Sequence, residues 1–134
     1  MSFYAFNPLA GGWLTDRYHR STSDVEAGSR FDASRAQGKM YRQRYWNEPF
    51  FSALDEMRAV KGEARESEIA LRWIVHHSML KRELGDKVII GASSQKQLEM
   101  NLGDFEKGEL SGEVVEALDR GWEGCKGIAG RYFH

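Results

Sequence analysis

The stretch Val88-Ile89-Ile90-Gly91-Ala92-Ser93-Ser94-Gln95-Lys96-Gln97 constrains the fold more than any other, because an uninterrupted apolar run passes through a glycine and two serines directly into a helix. A short continuous run such as Val88 to Ile90 is expected of a strand buried on both faces of a parallel sheet. Ser94 with Gln97 three residues later is a capping-box pattern, so a helix starts immediately past the strand. Its first-turn amides and the positive end of its dipole then lie at the strand's carboxyl end, where an anion such as a phosphate fits. A plain turn also satisfies this stretch, since Gly and Ser serve turns and caps equally well.

The same grammar occurs at the start of the chain. Phe3 to Phe6 reads as a strand, and Asn7-Pro8-Leu9-Ala10-Gly11-Gly12 stops it in a glycine-bearing loop whose amides can face a ligand. From Thr15 to Asn47 no sustained period is found, and loops of such length tend to be lids, binding loops or disorder. Between Arg17 and Trp46 seven basic residues stand against three acidic ones, a net +4 in a chain of net −1, which suits an anionic or planar ligand. Tyr41, Arg44, Tyr45 and Trp46 also fit a short helical turn.

Asn47 and Pro49 open a helix of about four turns ending near Gly62, with Phe50, Leu54, Met57 and Lys61 on one face. A second helix is expected with Ser67 as its cap, Ala70, Trp73, Ile74 and His77 on its apolar side, and Gly85 as its stop. His76 and His77 are adjacent, so on a helix they point about 100° apart and cannot chelate one metal ion together. Helices from Gln95 to Leu102 and from Gly112 to Glu123 follow, the latter capped by Ser111. Val115, Leu118, Trp122 and Cys125 share helical spacing, which makes the single cysteine a packed residue and excludes an internal disulfide. No metal site is expected. The absence of a long apolar run or a leader, and the net charge of −1, point to a cytoplasmic protein with no membrane or nucleic-acid partner.

Alternating strands and helices imply an α/β fold with parallel strands, whose ligand sites lie at the strands' carboxyl ends. Several segments, in order, resemble the C-terminal part of an aldo-keto reductase of the aflatoxin-aldehyde reductase-like branch. They are Phe3 to Gly12 with Leu14-Thr15, Gly28-Ser29-Arg30-Phe31, Tyr41-Arg42-Gln43-Arg44-Tyr45-Trp46, Ala70-Leu71-Arg72-Trp73, His76-His77-Ser78, Gly91 to Asn101 and Tyr132-Phe133.

The resemblance spans essentially all 134 residues and implies a partial (β/α)8 TIM barrel, with Phe3 to Asn7 as strand seven and Val88 to Ile90 as strand eight. It implies NADP(H) as cofactor and a small aldehyde or ketone, in secondary metabolism, as substrate. By it, Asn7, Pro8, Leu9, Ala10, Gly11, Gly12, Leu14 and Thr15 line the pyrophosphate and ribose, and Arg30 reaches the cofactor across the loop. Gly91, Ser93, Ser94, Gln97, Leu98 and Asn101 hold the 2′-phosphate and adenine, while Tyr41, Arg44 and the terminal His134 face the substrate. Trp13 replaces the family's leucine, Asp16-Arg17 its Gly-Lys, and His134 its arginine. The family's Asp, Tyr, Lys and His tetrad falls on strands before strand seven, so no catalytic residue is assigned here. The two open strand edges would be covered by an N-terminal barrel half or by a second copy. The alternative function is a truncated, catalytically inactive fragment that binds NADP(H), or a remnant, lacking the catalytic tetrad.

Overall fold

A computed structural model describes residues 1–131. Strand β1 (Tyr4–Phe6) pairs in parallel with β2 (Lys87–Ile89), Tyr4 opposite Lys87 and Phe6 opposite Ile89. Between them come α1 (Ala36–Tyr45), α2 (Glu48–Val60) and α3 (Glu66–His76), and after them α4 (Gln95–Phe105) and α5 (Gly112–Cys125). Helix α2 packs along α5, and α3 packs against α4. None of the described helices is long and apolar enough to cross a membrane.

The sheet is not buried on both faces. Ala5 shares an apolar hollow with Trp73 and Ile74 of α3, whereas Tyr4, Phe6 and Ile89 on the other face are exposed. With two strands there is nothing among the described residues to cover that second face.

The core lies instead under the segment that shows no period in the sequence. Trp13, just before that segment, and Tyr18 and Phe31 within it are buried with Tyr41 and Tyr45 of α1 and with Phe51, Leu54 and Met57 of α2. The stretch is therefore neither a loose lid nor disordered: it lends its aromatic side chains to the interior, and its second half is a ten-residue helix. Helix α1 escapes periodicity analysis because Gln37, Lys39, Arg42, Gln43 and Arg44 surround its few aromatics. Gly38 lets it sit directly on the preceding turn, where a Cβ would fall 1.8 Å from the Asp32 carbonyl oxygen.

Two helix boundaries differ from the sequence expectation. Asn47 caps α2 as expected, its Oδ1 accepting from the Phe50 amide at 3.3 Å. Ser67, however, is not the cap of α3. Arg65 occupies that position without a side-chain cap, and the Glu66 amide donates to Asp16 Oδ2 at 3.0 Å while Glu66 Oε2 accepts from the Asp16 amide at 2.9 Å. This reciprocal clamp is a capping box assembled from residues 50 positions apart, invisible to local pattern reading. Gly85 closes a separate 3-10 turn (Arg82–Leu84) rather than α3.

The buried faces also shift by one position. On α3 the buried apolar residues are Ile69 and Leu71, with Trp73 packed at the core's edge. On α5 they are Val114, Ala117 and Cys125, with Gly121 pressed against Ala53 of α2, while Trp122 is half exposed. Ser111 precedes α5 but makes no side-chain cap bond.

The α4–α5 connection is clasped to α3. Arg72 donates to the carbonyls of Gly108 and Glu109, His76 Nε2 lies 2.8 Å from the Lys107 carbonyl, and His77 Nε2 accepts from the Leu110 amide at 3.0 Å. The two histidines thus face different backbone groups. Glu68 bridges Arg72 (2.9 Å) and Lys107 (2.7 Å). Burial pushes the Glu68 carboxyl up, but Lys107 and Arg72 outweigh it and hold the group below its ordinary value of 4.5. A carboxyl with a lowered folded pKa contributes stability that is present above about pH 4.5 and lost as the pH falls through the folded value. Urea unfolding between pH 6 and pH 3 should therefore show the wild type losing more stability than Glu68→Gln. Parallel losses in the two proteins would remove Glu68 from the acid response.

Candidate functional site

Beyond β1 the backbone enters a strained run. Five of the eight described residues with positive φ fall between positions 7 and 16: Asn7, Ala10, Gly11, Gly12 and Asp16. Non-glycine residues hold such angles only when their surroundings impose them, and the clustering of three here marks a functional segment. Asn7 imposes the turn, its carbonyl accepting from the Ala10 amide (2.9 Å) and its Oδ1 from the Gly11 amide (2.7 Å). Thr15 donates to the Gly12 carbonyl, and Arg17 Nε donates back to the Thr15 hydroxyl at 3.1 Å.

Beyond β2 the second loop is closed by a divided capping box. Ser94 Oγ accepts from the Gln97 amide at 3.2 Å, but the Gln97 side chain reaches Ser93, accepting from its amide (3.1 Å) and its hydroxyl (2.7 Å). Both loops open onto one cleft of about 970 Å³. Its third wall is the segment from Glu26 to Arg30, and its floor is the start of α3, contributed by Arg65 and Ser67.

The cleft gathers most of the sequence-predicted cofactor residues. Asn7, Pro8, Leu9, Gly11, Gly12 and Thr15 line it from the first loop, Gly91, Ser93, Gln97 and Asn101 from the second, and Arg30 from across. Ala10 and Leu14 turn the other way and pack on the aromatic core. Ser94 acts as the helix cap behind the wall, and Leu98 lies on the exposed side of α4. Tyr41 is buried beneath Gly11 rather than in the cleft wall, its hydroxyl accepting from Arg30 Nη1 (3.0 Å) and Asn7 Nδ2 (3.4 Å). Arg44 sits in the last turn of α1, away from the cleft lining. His134, like Tyr132 and Phe133, lies outside the described residues.

Charge in the cleft is set by three arginines and two carboxylates. Glu26 pairs with Arg17 at 3.3 Å, and Asp16 with Lys61 at 3.3 Å. Arg65 bonds Asp104, and Arg30 has no carboxylate partner among the described residues. The loop that carries Arg30 is fixed by Asp32, which accepts from the Ser34 hydroxyl and from the Gly28 and Ser34 amides; these bonds hold its carboxyl down to about 2.

Two polar side chains face the cleft with no protein partner among the described residues. They are Asn101 and Ser67, 7% and 8% exposed. Both open into the cleft, so their polar atoms are accessible from it. Sequence reasoning missed Arg65 and Ser67. The signal for them was the position of the helix preceding β2, whose first turn must lie at the carboxyl ends of parallel strands.

The sequence profile of the Aldo/keto reductase family matches residues 1–123. The chain is 51% identical over 135 residues to an aldo-keto reductase of Pseudocercospora fijiensis (strain CIRAD86), covering 99% of this chain and 45% of that protein. It is 42% identical over 131 residues to the aldo-keto reductase pigE of Monascus ruber, covering 95% and 38%. To aflatoxin B1 aldehyde reductase member 2 of Rattus norvegicus it is 39% identical over 128 residues, covering 91% and 35%. The chain thus spans less than half the length of these relatives.

Proposed function

Because this chain belongs to the aldo/keto reductase family, we propose that residues 1–134 are the C-terminal portion of an NADPH-dependent reductase of aldehydes or ketones, acting in secondary metabolism. The carrying observation is the convergence of two strand-end loops on one cleft that holds the Asn101 amide and Arg30, the first without a protein partner and the second without a carboxylate among the described residues. A dinucleotide fits this donor set. Gly11 and Gly12 admit a close approach, amides and arginines answer phosphate charge, and Asn101 answers a base. NADPH, when bound, supplies the hydride for carbonyl reduction. In this reading the first loop, Asn7 to Thr15, holds the pyrophosphate, Arg30 closes over it, and Gly91 to Asn101 take the 2′-phosphate and adenine.

The bare sheet face supports the rest of the proposal. Tyr4, Phe6 and Ile89 are 51%, 64% and 53% exposed on a sheet with two open edges, as expected if preceding barrel strands cover them in the whole protein. The same observation favours a second reading, in which the chain by itself holds the cofactor and performs no chemistry.

Calorimetric titration of the 134-residue chain with NADPH tests the first part: saturable binding is expected, weakened about tenfold by Arg30→Ala. A flat titration up to millimolar cofactor would overturn it. Carbonyl-dependent NADPH oxidation by the chain joined to the remaining barrel strands, and none by the chain alone, separates the two readings.

A further inference from the structure

We propose that His77 is a pH-sensitive latch, in which protonation of its imidazole releases the α4–α5 connection from the end of α3.

A backbone amide can only donate, so the bond from the Leu110 amide to His77 Nε2, at 3.0 Å, needs a lone pair on that nitrogen. The ring that accepts it is neutral, with its proton on Nδ1. A second proton would occupy Nε2, remove the one acceptor the imidazole has, and set N–H against N–H. The neighbouring ring is built the other way. A carbonyl oxygen can only accept, so His76 Nε2 donates to the Lys107 carbonyl at 2.8 Å, and it donates equally well from a charged ring. Two adjacent imidazoles thus hold one connection with opposite responses to acid.

The latch is anchored at both ends. His77 closes α3 through its own amide, which donates to the Trp73 carbonyl at 2.8 Å. Leu110 is 8% exposed and belongs to the core with Val114 of α5, the helix that lies along α2. Breaking the bond therefore leaves a buried backbone amide without its acceptor.

No neighbouring carboxylate compensates a charged His77. The charged groups at this junction are Glu68, Arg72 and His76 on α3, Asp104 and Glu106 at the end of α4, Lys107 and Glu109 in the connection, and Glu113 in the first turn of α5. Glu68 is taken by Arg72 and Lys107, and Asp104 by Arg65 and Lys107. The carboxylates of Glu106, Glu109 and Glu113 bond neither imidazole among the described residues. The Leu110 bond is accordingly present where imidazole is neutral and lost as the pH falls through the ordinary imidazole range near about 6.5. That range lies above the one in which the Glu68 carboxyl titrates.

Hydrogen exchange of the Leu110 amide, followed by NMR in the full chain from about pH 8 to about pH 5.5 and divided by the intrinsic rate at each pH, tests the latch. The Leu110 protection factor should fall about tenfold on acidification, in step with the chemical shifts of the His77 ring nitrogens. His77→Gln, whose side-chain oxygen accepts without titrating, should keep Leu110 protection level, and His76→Gln should retain the wild-type fall. A wild-type protection factor that stays level overturns the latch, whether or not the ring titrates. So does a fall of equal size in His77→Gln, since another group then drives it. If His77→Gln does not fold, the wild type decides alone: a fall at Leu110 displaced in pH from the His77 titration overturns the latch, and coincidence of the two supports it.

Discussion

Trp13→Ala is expected to lower the unfolding free energy by about 4 kcal/mol, the range found when a buried tryptophan or phenylalanine is cut to alanine. Trp13 is 2% exposed, and its ring centroid lies between 4.8 and 6.1 Å from those of Tyr18, Phe31, Tyr45, Trp46 and Phe51. It therefore joins the unpatterned segment to α1 and α2 at a single point. Small domains are stable by only about 5–15 kcal/mol, so a loss of this size brings the chain close to unfolding at ordinary temperature. Urea unfolding followed by circular dichroism measures it. Trp13→Phe should recover more than half of the loss, because a ring remains among rings. A Trp13→Ala midpoint within about 1 kcal/mol of wild type would show that the core is held elsewhere.

Trp13 also marks the limit of what was legible in the sequence. The strand-to-helix turn at Val88 to Asn101 could be read because its information is local: an apolar run, a glycine, and a Ser94–Gln97 cap within a few residues. The first glycine loop was legible for the same reason. The interior was not, because Trp13, Tyr18 and Phe31 are spaced with no period and meet α1 and α2 only through tertiary packing. The clamp between Asp16 and Glu66 lies 50 residues apart in sequence, so Ser67 was given a cap's role that a distant carboxylate performs. One departure from the family pattern acquires a physical meaning by this route. At Asp16, where the resemblance implies glycine, the backbone keeps a left-handed φ of 61°, and the carboxylate is drawn to Lys61 and the α3 amide. A negative charge at the cleft is thereby neutralised from behind.

The two strands sit differently. Their exposed residues alternate with half-buried ones, yet the run Val88 to Ile90 looks uniformly apolar. A continuous apolar run reports the burial that a strand has in its complete sheet, and here one face has no cover among the described residues. The chain spans 35 to 45% of the lengths of the relatives it matches.

Gly11→Ala should damage the cleft more than any other single-methyl change in its walls. Gly11 has φ of 70°, a conformation costing an alanine about 1–2 kcal/mol, and its new Cβ would lie 2.2 Å from Tyr41 Cε1. Tyr41 cannot step aside, being 5% exposed and set between Phe31 and Tyr45. Relief must come from the loop, at a further cost of about 1–3 kcal/mol. The two neighbours serve as internal controls. Gly12 has φ of 97° but meets only the mobile end of Arg17 at 3.1 Å, so Gly12→Ala carries the backbone strain without the ring clash. Gly91 has neither, with nothing within 4 Å of its added Cβ. Because Tyr41 is also the acceptor for Arg30 and Asn7, moving the loop away from the fixed ring strains the bonds of two cleft residues together. The expected order of stability loss is Gly11→Ala, about 3 kcal/mol, then Gly12→Ala, then Gly91→Ala. NADPH affinity should follow the same order, falling more than tenfold for Gly11→Ala. If Gly12→Ala and Gly11→Ala lose equally, the ring contact has no part in shaping the loop, and the strain of the backbone alone accounts for its glycines.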